Sequence, residues 1–536
     1  MKSLPDALKF FNDNYKIVGD PIYLSTFFKE GGDELIFQHL SSLYKAEYQP
    51  EEKIIVIQDC DDQYDYEHLP GNSLVFLQKC LQTLDISNFF VTVVTGNQDI
   101  ESELNTLQQD YSIDNCTINH VLINIPYKRK IEKSDTFCIL PWIHLSVHSD
   151  SKVYLCCASN KNIPLGDLQK EKVADIINNE HFQTVRSRLL SNKKTPECSY
   201  CYHAERHGIE SPRLTNLKRW ERYNTPEIFN KTVITDFKPV YLDLRFSNAC
   251  NLQCRTCSGE YSSMIAAEEK ALFDNYTNFK KVLTLGQRET AFAETFEYLD
   301  SVEEIYFTGG EPLIMFETYK ILYRLIELKK FDVKLYFNTN FNTLKFKNQN
   351  ILELWKKFKN IELYISVDGH GPVVEYVRHG CKWSNIENNL SLVQKECPHV
   401  NISVLSTISF LSLQSVIELQ KQWHTQGKLS IKNFRMNIMA NASEDNHSFS
   451  ASLYNLQTLR KEFKKPLADL IDNHCKWLQE LDVPEIINRW KQIKNYMLDQ
   501  DREYAIANLK EVHKLRDHYR NENFDHIFPE FKGLFD

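Results

Sequence analysis

The sequence predicts an α/β protein built around a full or partial (β/α) barrel. Between residues 240 and 439, six runs rich in β-branched and aromatic residues alternate with stretches of helical period or composition. Six such units in about 200 residues are typical of a barrel whose chemistry lies at the carboxyl ends of its strands. The predicted strands are 240–246, 303–309, 332–338, 361–367, 401–409 and 433–439, and the predicted helices lie within 262–298, 316–330, 348–358, 384–395 and 412–426.

The rest of the chain divides into three further regions. Near the N-terminus, strand-like runs at 53–59, 89–95 and 120–126 alternate with helical stretches near 72–84 and 99–110, which favours a small parallel sheet. No glycine-rich phosphate loop accompanies it, so this sheet is assigned no chemistry. The C-terminal stretches 451–474, 485–498 and 503–520 have the period of amphipathic helices. We expect an α/β domain of unknown role at 1–130, a cysteine-rich domain at 131–235, the barrel at 236–445 and a helical region at 446–536.

Composition and charge argue against two broad classes of function. The 536 residues include 63 basic and 72 acidic side chains, so no basic excess exists to neutralise nucleic-acid phosphates. No uninterrupted apolar run approaches the roughly 20 residues of a membrane span, and Pro5 and Asp6 interrupt any signal-peptide core. We expect a soluble cytoplasmic protein whose 14 cysteines serve as thiols or metal ligands rather than as disulfides.

The most informative cysteines directly follow the first predicted barrel strand. Cys250, Cys254 and Cys257 form a C-x3-C-x2-C array. Three thiolates within eight residues can bind one face of an iron–sulfur cluster, for which four cysteines are usual in a cubane [4Fe–4S] cluster. Three ligands would leave one iron open to chelate a small molecule. The alternative is a zinc knuckle or a set of buried thiols, although a fourth zinc ligand is not evident nearby.

These cysteines and the residues at the next strand end resemble the motifs of the radical S-adenosylmethionine (radical SAM) superfamily. The cysteine loop follows the first predicted strand, and Gly309-Gly310-Glu311-Pro312 follows the second. The resemblance implies a partial (β/α)6 TIM-like barrel that binds a [4Fe–4S] cluster and S-adenosylmethionine. It also implies that the GGEP element meets the amino group of S-adenosylmethionine. Glycines permit close backbone approach to the ligand, and Glu311 offers an acceptor to an ammonium.

Polar residues at later strand ends match further positions of this family. Four of them are expected to bind the cofactor: Asn338, Asn340, Ser366 and Arg378. The first three would contact the ribose and methionine moieties, and the arginine would pair with the methionine carboxylate, which suits a guanidinium. Asp368, in the family's S-x-D-G element, is the candidate catalytic residue because it could touch cofactor or substrate. Thr256 departs from the family, in which a bulky residue near the adenine often precedes the third cysteine.

A second cysteine-rich stretch resembles the auxiliary-cluster domains, called twitch or SPASM, of the same superfamily. It has a cysteine before LPW, a hairpin ending in VYLC, a turn, a helix near 167–190 and a closing C-x2-C pair. The expected ligands of a second [4Fe–4S] cluster are Cys138, Cys156, Cys198 and Cys201, with zinc in the same thiolates as the alternative. Ser151 replaces the family's turn glycine, and its register favours Cys156 over Cys157 as the ligand. The stretch precedes the barrel, whereas such domains commonly follow it, so its position relative to the first cluster is left open.

The resemblance implies reductive cleavage of S-adenosylmethionine, which yields methionine and a 5′-deoxyadenosyl radical for C–H abstraction. The S-V-D-G element and the auxiliary cluster are shared with peptide- and protein-modifying members, so a peptide or protein is the expected substrate. A small molecule, such as a sugar, nucleotide or amino-acid derivative, is the first alternative. A non-catalytic iron–sulfur or zinc scaffold is the second. The expected partners are the substrate and a reductant such as flavodoxin or ferredoxin, with neither nucleic acid nor membrane.

Overall fold

The computed structural model describes residues 134–206, 210–225, 228, 231–273, 289–439 and 452–536, together with three strands nearer the N-terminus. The chain separates into two compact units, Met1–Ser134 and Asp135–Asp536. In the first unit, β1 (Ile54–Gln58), β2 (Phe90–Thr95) and β3 (Thr117–Leu122) form a parallel sheet in that order. The three predicted strands are therefore confirmed, although β3 begins at Thr117 rather than at residue 120. The helices predicted at 72–84 and 99–110 lie outside the described residues.

The second unit begins with the cysteine-rich segment. Its elements are α1 (Leu140–Ile143), β4 (His144–Val147), β5 (Lys152–Tyr154), β6 (Gly166–Asp167), α2 (Val173–Ile177), α3 (Glu180–Leu190), α4 (Ser199–Arg206) and α5 (Pro212–Arg219). The helix predicted near 167–190 is two helices, because the Asn179 side chain caps α3 by accepting a hydrogen bond from the Phe182 N–H (2.9 Å). The predicted hairpin is formed by β4 and β5.

Serine occupies a left-handed position in the turn of that hairpin. Ser151 has a φ of 68°, and its side chain is fully buried. A non-glycine residue in this conformation costs roughly 1–2 kcal/mol, which explains why the domains that this segment resembles use glycine there.

The barrel region supplies the centre of the second unit. Its strands are β7 (Tyr241–Leu244), β8 (Gln253–Cys254), β9 (Glu304–Phe307), β10 (Lys334–Thr339), β11 (Lys345–Phe346), β12 (Gln349–Asn350), β13 (Asn360–Ser366), β14 (Arg378–His379), β15 (Asn401–Ile408) and β16 (Phe434–Ile438). Its helices are α6 (Ser263–Leu272), α7 (Glu289–Glu297), α8 (Phe316–Glu327), α9 (Ile351–Trp355), α10 (Gly371–Val377), α11 (Trp383–Glu396) and α12 (Leu413–Thr425). All six predicted strands are confirmed as β7, β9, β10, β13, β15 and β16.

These six strands lie side by side in chain order, and all of them run parallel. Parallel crossovers are right-handed in nearly all proteins, so a sheet in chain order receives its connecting helices on one face. The carboxyl ends of the strands therefore meet at one edge, which is where the predicted site residues fall.

The two faces of the sheet differ because side chains alternate along each strand. Leu244, Phe307 and Phe337 are in register on neighbouring strands and are fully buried, and the two phenylalanine rings stack with centroids 4.8 Å apart. The other face carries polar side chains, including Asp243 and Tyr306, which are also in register. We call this side the polar face of the sheet.

The cysteine-rich segment extends the same sheet. β4 pairs in parallel with β7, and β5 and β6 continue antiparallel beyond it, which gives the order β16-β15-β13-β10-β9-β7-β4-β5-β6. The His144 and Tyr241 rings stack across the junction at 4.3 Å. The sequence left open where the cysteine-rich segment lies relative to the barrel. In the structure the segment adjoins β7, the first strand of the barrel.

The C-terminal region consists of α13 (Lys461–Gln479), α14 (Pro484–Asp499), α15 (Ile506–Arg520) and α16 (Phe524–Ile527). A helix from residue 451 is a wrong prediction over its first part, because Asn455 caps a 3-10 turn by accepting from the Gln457 N–H (2.8 Å) and α13 begins only at Lys461. In the described part of the chain, no helix has the length and apolar character needed to cross a membrane.

Candidate functional site

The C-x3-C-x2-C loop leaves the carboxyl end of β7 and is fixed by the backbone of β14. β8 contains Cys254 and pairs antiparallel with β14, and the Arg255 N–H donates to the Val377 carbonyl at 2.8 Å. Cys254 is buried, whereas Cys250 and Cys257 are partly exposed. Burial raises the pKa of the Cys257 thiol, and the nearby Cys254 and Cys250 raise it further. The three thiols lie after a strand end and are close enough to shift the pKa of one of them, as expected for ligands of one cluster.

Gly309 and Gly310 pack against this cysteine loop. A Cβ at Gly310 would lie 2.1 Å from the Ala249 carbonyl oxygen, and Gly309 has a φ of 116°. The Gly310 N–H donates to the Ser247 carbonyl (3.0 Å), and the Glu311 N–H donates to the Ala249 carbonyl (2.8 Å). The close neighbour of both glycines in the structure is the loop that carries the cysteines, and their close approach to the cofactor stays a prediction. The two glycines thereby set the position of that loop.

Glu311 is a buried brace between the GGEP element and β10. Its Oε1 accepts hydrogen bonds from the Thr339 hydroxyl (2.7 Å) and the Leu313 N–H (2.9 Å), and its Oε2 accepts from the Asn340 N–H (2.6 Å). Burial raises the pKa of Glu311 to about 7, although these hydrogen bonds act in the opposite direction. Pro312 opens the 3-10 turn that presents the Leu313 N–H. A carboxylate has about four lone-pair sites, so one remains for a ligand ammonium.

The predicted amide and hydroxyl residues lie at the ends of β10 and β13. The Ser366 hydroxyl donates to Asn338 Oδ1 at 3.0 Å, so these two residues form one pair across neighbouring strands. Asn340 Nδ2 donates to Asn251 Oδ1 at 2.7 Å and lies 4.0 Å from Cys250 Sγ. Asn340 is therefore beside an expected cluster ligand.

Arg378 and Asp368 form a buried ion pair at the same edge. Arg378 Nε lies 2.8 Å from Asp368 Oδ2, and its Nη1 lies 3.7 Å from Cys254 Sγ. The Thr407 N–H donates to the other oxygen of Asp368 at 2.7 Å. Burial opposes the charge of Arg378, but the Asp368 carboxylate more than offsets this and raises the pKa of Arg378. Asp368 thus orients Arg378 in this structure, and its contact with cofactor or substrate stays a prediction.

The four cysteines expected to bind an auxiliary cluster line one pocket. The pocket contains about 390 Å³ free of protein atoms, part of it open to solvent. Its walls include Cys138, Cys156, Cys198 and Cys201 beside apolar side chains such as Leu140 and Leu155. Burial raises the pKa of the Cys138 thiol to about 12. Four thiols from three separate stretches of sequence around one apolar pocket fit a fully ligated cluster.

Cys157 does not share this position. Its side chain is exposed, whereas Cys156 borders the pocket. Arg213 also borders the pocket and donates from Nη1 to the Phe137 carbonyl (3.0 Å), while its Nη2 pairs with Glu205 (2.6 Å). This arginine ties the segment before Cys138 to the helices that follow the closing C-x2-C pair.

Two family models match the parts of the chain that contain these sites. Residues 244–419 match the radical SAM superfamily, and residues 138–202 match SPASM, an iron–sulfur cluster-binding domain. The chain therefore contains a radical SAM domain and a SPASM domain. The first match begins at the last residue of β7 and includes Cys250, Cys254 and Cys257, and the second includes all four cysteines of the auxiliary pocket.

Solved structures of two proteins with bound S-adenosylmethionine are similar to parts of this one. A structure of anSMEcpe with bound AdoMet has 17% sequence identity and a TM-score of 0.31, and the match covers 45% of this chain and 61% of that one. Streptococcus suis SuiB bound to S-adenosylmethionine has 14% identity and a TM-score of 0.29, over 56% of this chain and 63% of that one. The chain thus spans less than two thirds of either protein. No curated protein matches it in sequence.

The residues of the two matched regions fit the cofactors of these domains. A radical SAM domain binds a [4Fe–4S] cluster and S-adenosylmethionine, and a SPASM domain binds an auxiliary iron–sulfur cluster. The donor sets are all thiols: three on the loop after β7 and four around the auxiliary pocket. Thiolates are the usual ligands of such clusters.

Sequence reasoning misses the anchor of the cysteine loop. Arg255 lies inside the C-x3-C-x2-C motif and is fully buried, and its guanidinium pairs with Asp517 and Glu522 of the C-terminal region. Its Cζ lies 3.9 Å from the centre of the Tyr376 ring. The cysteine loop is therefore paired with a helix whose Asp517 lies 262 residues further along the chain.

A second set of ion pairs joins the same two parts of the chain. Glu268 on α6 binds Arg516 Nε at 3.1 Å and Arg520 Nη2 at 2.8 Å, and none of these side chains is exposed. The two arginines are four residues apart on α15, so they lie on one face of the helix. This spacing is the sequence signal that could have indicated a charged, buried interface.

Proposed function

We propose that this protein cleaves S-adenosylmethionine reductively and abstracts hydrogen from a peptide or protein substrate. When bound, the cluster and S-adenosylmethionine supply, with one electron from a reductant, a 5′-deoxyadenosyl radical that removes hydrogen from an unactivated C–H bond. The observation that carries the proposal is the direct attachment of both cofactor-binding elements to the cysteine loop. Gly310 donates to the Ser247 carbonyl, and β14, which carries Arg378, pairs with β8.

Each side chain at this edge then has a separate task. Cys250, Cys254 and Cys257 would hold the first cluster through their thiolates. Arg378, fixed by Asp368, would bind the methionine carboxylate as a bidentate donor, and Glu311 would accept from the methionine ammonium. The Asn338–Ser366 pair presents polar atoms to the ribose.

The auxiliary pocket would hold the second cluster through Cys138, Cys156, Cys198 and Cys201. Because all four positions are taken by protein thiolates, this cluster would relay electrons or stabilise the fold rather than chelate substrate. Zinc in the same four thiolates is the alternative, and iron counting distinguishes the two.

A peptide or protein is the proposed substrate because the chain combines the S-V-D-G element with an auxiliary-cluster domain. A small molecule, such as a sugar, nucleotide or amino-acid derivative, is the alternative. A flavodoxin or ferredoxin is the proposed electron donor, and the cytoplasm is the proposed location.

The radical chemistry is tested by anaerobic reconstitution with iron and sulfide, followed by dithionite and S-adenosylmethionine. The wild type should bind about eight irons and form 5′-deoxyadenosine. A Cys250/Cys254/Cys257→Ala triple variant should keep about four irons and form none. No 5′-deoxyadenosine from a fully loaded wild type would contradict the proposal, and zinc in place of the remaining iron would support the zinc alternative.

The substrate class is tested by deuterium transfer. Cells that contain this protein are grown in deuterated medium, and their extract is divided into a peptide and protein fraction and a small-molecule fraction. Deuterium in the 5′-deoxyadenosine formed with the first fraction would support the proposed substrate. Deuterium from the small-molecule fraction alone would contradict it.

A further inference from the structure

Arg245 is a largely buried cation with an unsatisfied donor. Its side chain is only 14% exposed, and its Nε lies 3.5 Å from Asp243 Oδ1, which is too long for a strong hydrogen bond. Neither of these two atoms has a hydrogen-bond partner among the described residues. A buried donor without a partner is unfavourable, and more so when the group is charged, so this position favours a ligand that satisfies it.

Arg245 directly follows β7 and lies beside the GGEP element. A Cβ added to Gly309 would be 3.4 Å from the Arg245 Cβ. Leu244, Phe307 and Phe337 are in register and point to the apolar face of the sheet. Arg245 follows Leu244 and Asn338 follows Phe337, so both lie at the same level and on the polar face. Arg245 is therefore on the face that carries an expected contact of S-adenosylmethionine.

The SPASM domain contributes a second cation near Arg245. Val147 is in register with Leu244, so His148 and Arg245 follow β4 and β7 at the same level and on the same face. Lys161 Nζ lies 3.0 Å from Nε2 of His148, a residue that is only 2% exposed. Burial, and then the positive charges of Arg245 and Lys161, lower the pKa of His148, so the imidazole is neutral and Lys161 is the donor. Among the described residues Lys161 also approaches the Cys156 carbonyl (3.5 Å) but forms no ion pair.

The same region is tied to the cysteine loop. The Ser149 hydroxyl, next to His148, donates to the Glu260 carbonyl at 3.4 Å, and Glu260 follows Cys257 by three residues. Arg245 therefore lies on the polar face beside the GGEP element, and Lys161 lies beside Cys156 of the auxiliary pocket. Within the described ranges, only one of them contacts a carboxylate, that of Asp243.

We propose that Arg245, with Lys161, binds an anionic group of the substrate, a carboxylate or a phosphate, between the two cluster sites. This inference rests on the proposed function and adds the chemistry by which the substrate is recognised. A guanidinium presents paired N–H donors that match either anion, and a lysine adds a point charge. The anionic group would then fix one end of the substrate beside the SPASM domain, with the reacting C–H bond towards the S-adenosylmethionine site.

The test uses reconstituted full-length protein with S-adenosylmethionine bound, at constant ionic strength in potassium chloride. Equilibrium dialysis measures binding of radiolabelled inorganic phosphate and of radiolabelled glutarate. We expect saturable binding of at least one of them to the wild type, weakened about tenfold in Arg245→Gln and largely retained in Arg245→Lys. Arg435→Gln is the matched control, because Arg435 is an exposed arginine on β16, and it should bind as the wild type does. The preferred probe shows whether the substrate carries a phosphate or a carboxylate.

A second variant guards against misfolding, since Arg245→Gln leaves Asp243 without its cation. Asp243→Asn with Arg245→Gln removes both charges, and it should keep the wild-type iron content while losing the anion. The inference would be overturned if the wild type, Arg245→Gln and the double variant bound the anion equally. It would also be overturned if the wild type showed no saturable binding. Formation of 5′-deoxyadenosine by the wild type is measured separately. Anion binding without 5′-deoxyadenosine formation would contradict only the proposed function. Formation of 5′-deoxyadenosine without anion binding would contradict only this inference.

Discussion

Arg255 Nη2 lies 2.6 Å from Glu522 Oε2. Arg255 is inside the C-x3-C-x2-C motif, and Glu522 follows the end of α15. Glu522 also accepts from His379 (2.7 Å), and Asp517 accepts from the Tyr376 hydroxyl (2.6 Å). Through these contacts the C-terminal region holds both the cysteine loop and the segment that carries Arg378. The cluster loop is therefore fixed from outside the barrel as well as by its own sheet.

Replacement of Arg255 by Met should lower the free energy of unfolding by about 3 kcal/mol, because it leaves two largely buried carboxylates without their cation. Urea denaturation of the apo protein measures this change. Lys218→Met is the control, since the Lys218–Glu210 pair is exposed and should contribute less than about 1 kcal/mol. Equal stability of the two variants would contradict the anchoring role of Arg255.

Gly310→Ala should displace the cysteine loop, because the new Cβ has no room beside the Ala249 carbonyl. The iron content of the reconstituted protein should fall from about eight to about four per chain, with loss of 5′-deoxyadenosine formation. Gly427→Ala is the control, since it also has a positive φ (66°) but has no atom within 4 Å of the added Cβ. It should reduce stability by roughly 1–2 kcal/mol and leave the iron content unchanged. A fully loaded Gly310→Ala protein would refute this account of the glycine.

Cys156→Ser and Cys157→Ser should differ sharply, because only Cys156 borders the auxiliary pocket. We expect Cys156→Ser to lose about four irons per chain and Cys157→Ser to keep them. Iron counting and electron paramagnetic resonance of the reduced proteins measure the outcome. The reverse pattern would make Cys157 the ligand, which would require the side chain of Cys157 rather than that of Cys156 to face the pocket.

Asp368→Asn should weaken S-adenosylmethionine binding about tenfold, or about 1.4 kcal/mol, because Arg378 loses the carboxylate that orients it. Equilibrium dialysis gives the affinity, and the iron content should stay at the wild-type value. Asp332→Asn is the control, since the Asp332–Lys359 pair is exposed. Unchanged affinity in Asp368→Asn would show that Arg378 does not need this partner or does not bind the cofactor.

His474→Gln should reduce the loss of stability at acid pH. The side chain is fully buried and lies with Nε2 2.7 Å from Gln420 Oε1, and burial, with a smaller effect of Lys421, lowers the pKa of His474 to about 3. Between pH 6.5 and 3 the unfolded state binds this proton and the folded state does not, so stability falls as the pH decreases.

From this group alone, lowering the pH from about 6.5 to about 5 should cost up to about 2 kcal/mol, at about 1.4 kcal/mol per pH unit. Urea denaturation at several pH values should show that loss in the wild type and its absence in His474→Gln. The exposed His526→Gln serves as control and should keep the wild-type dependence. Parallel curves for the wild type and His474→Gln would contradict the prediction.

Much of the fold follows from local sequence patterns. Apolar residues alternate with polar ones or stand together at 303–309 and 332–338, which is typical of buried strands. The structure has β9 and β10 at these positions. The spacing of Cys250, Cys254 and Cys257 predicts a cluster-binding loop, because all three predicted ligands lie within a few residues of one another. Local patterns fail at residues 451–460, where the side chain of Asn455 competes with helix formation.

The chain's own sequence thus determined the order of strands and helices and the two sets of cysteines, because strand period, helix period and ligand spacing act over a few residues. Only the tertiary structure decided which partners the buried charges find. It placed Glu522 on Arg255 and Glu268 on Arg516, pairings between residues far apart in the chain. Such contacts arise from packing of whole elements, in which a buried charge must find a partner wherever the fold brings one within reach.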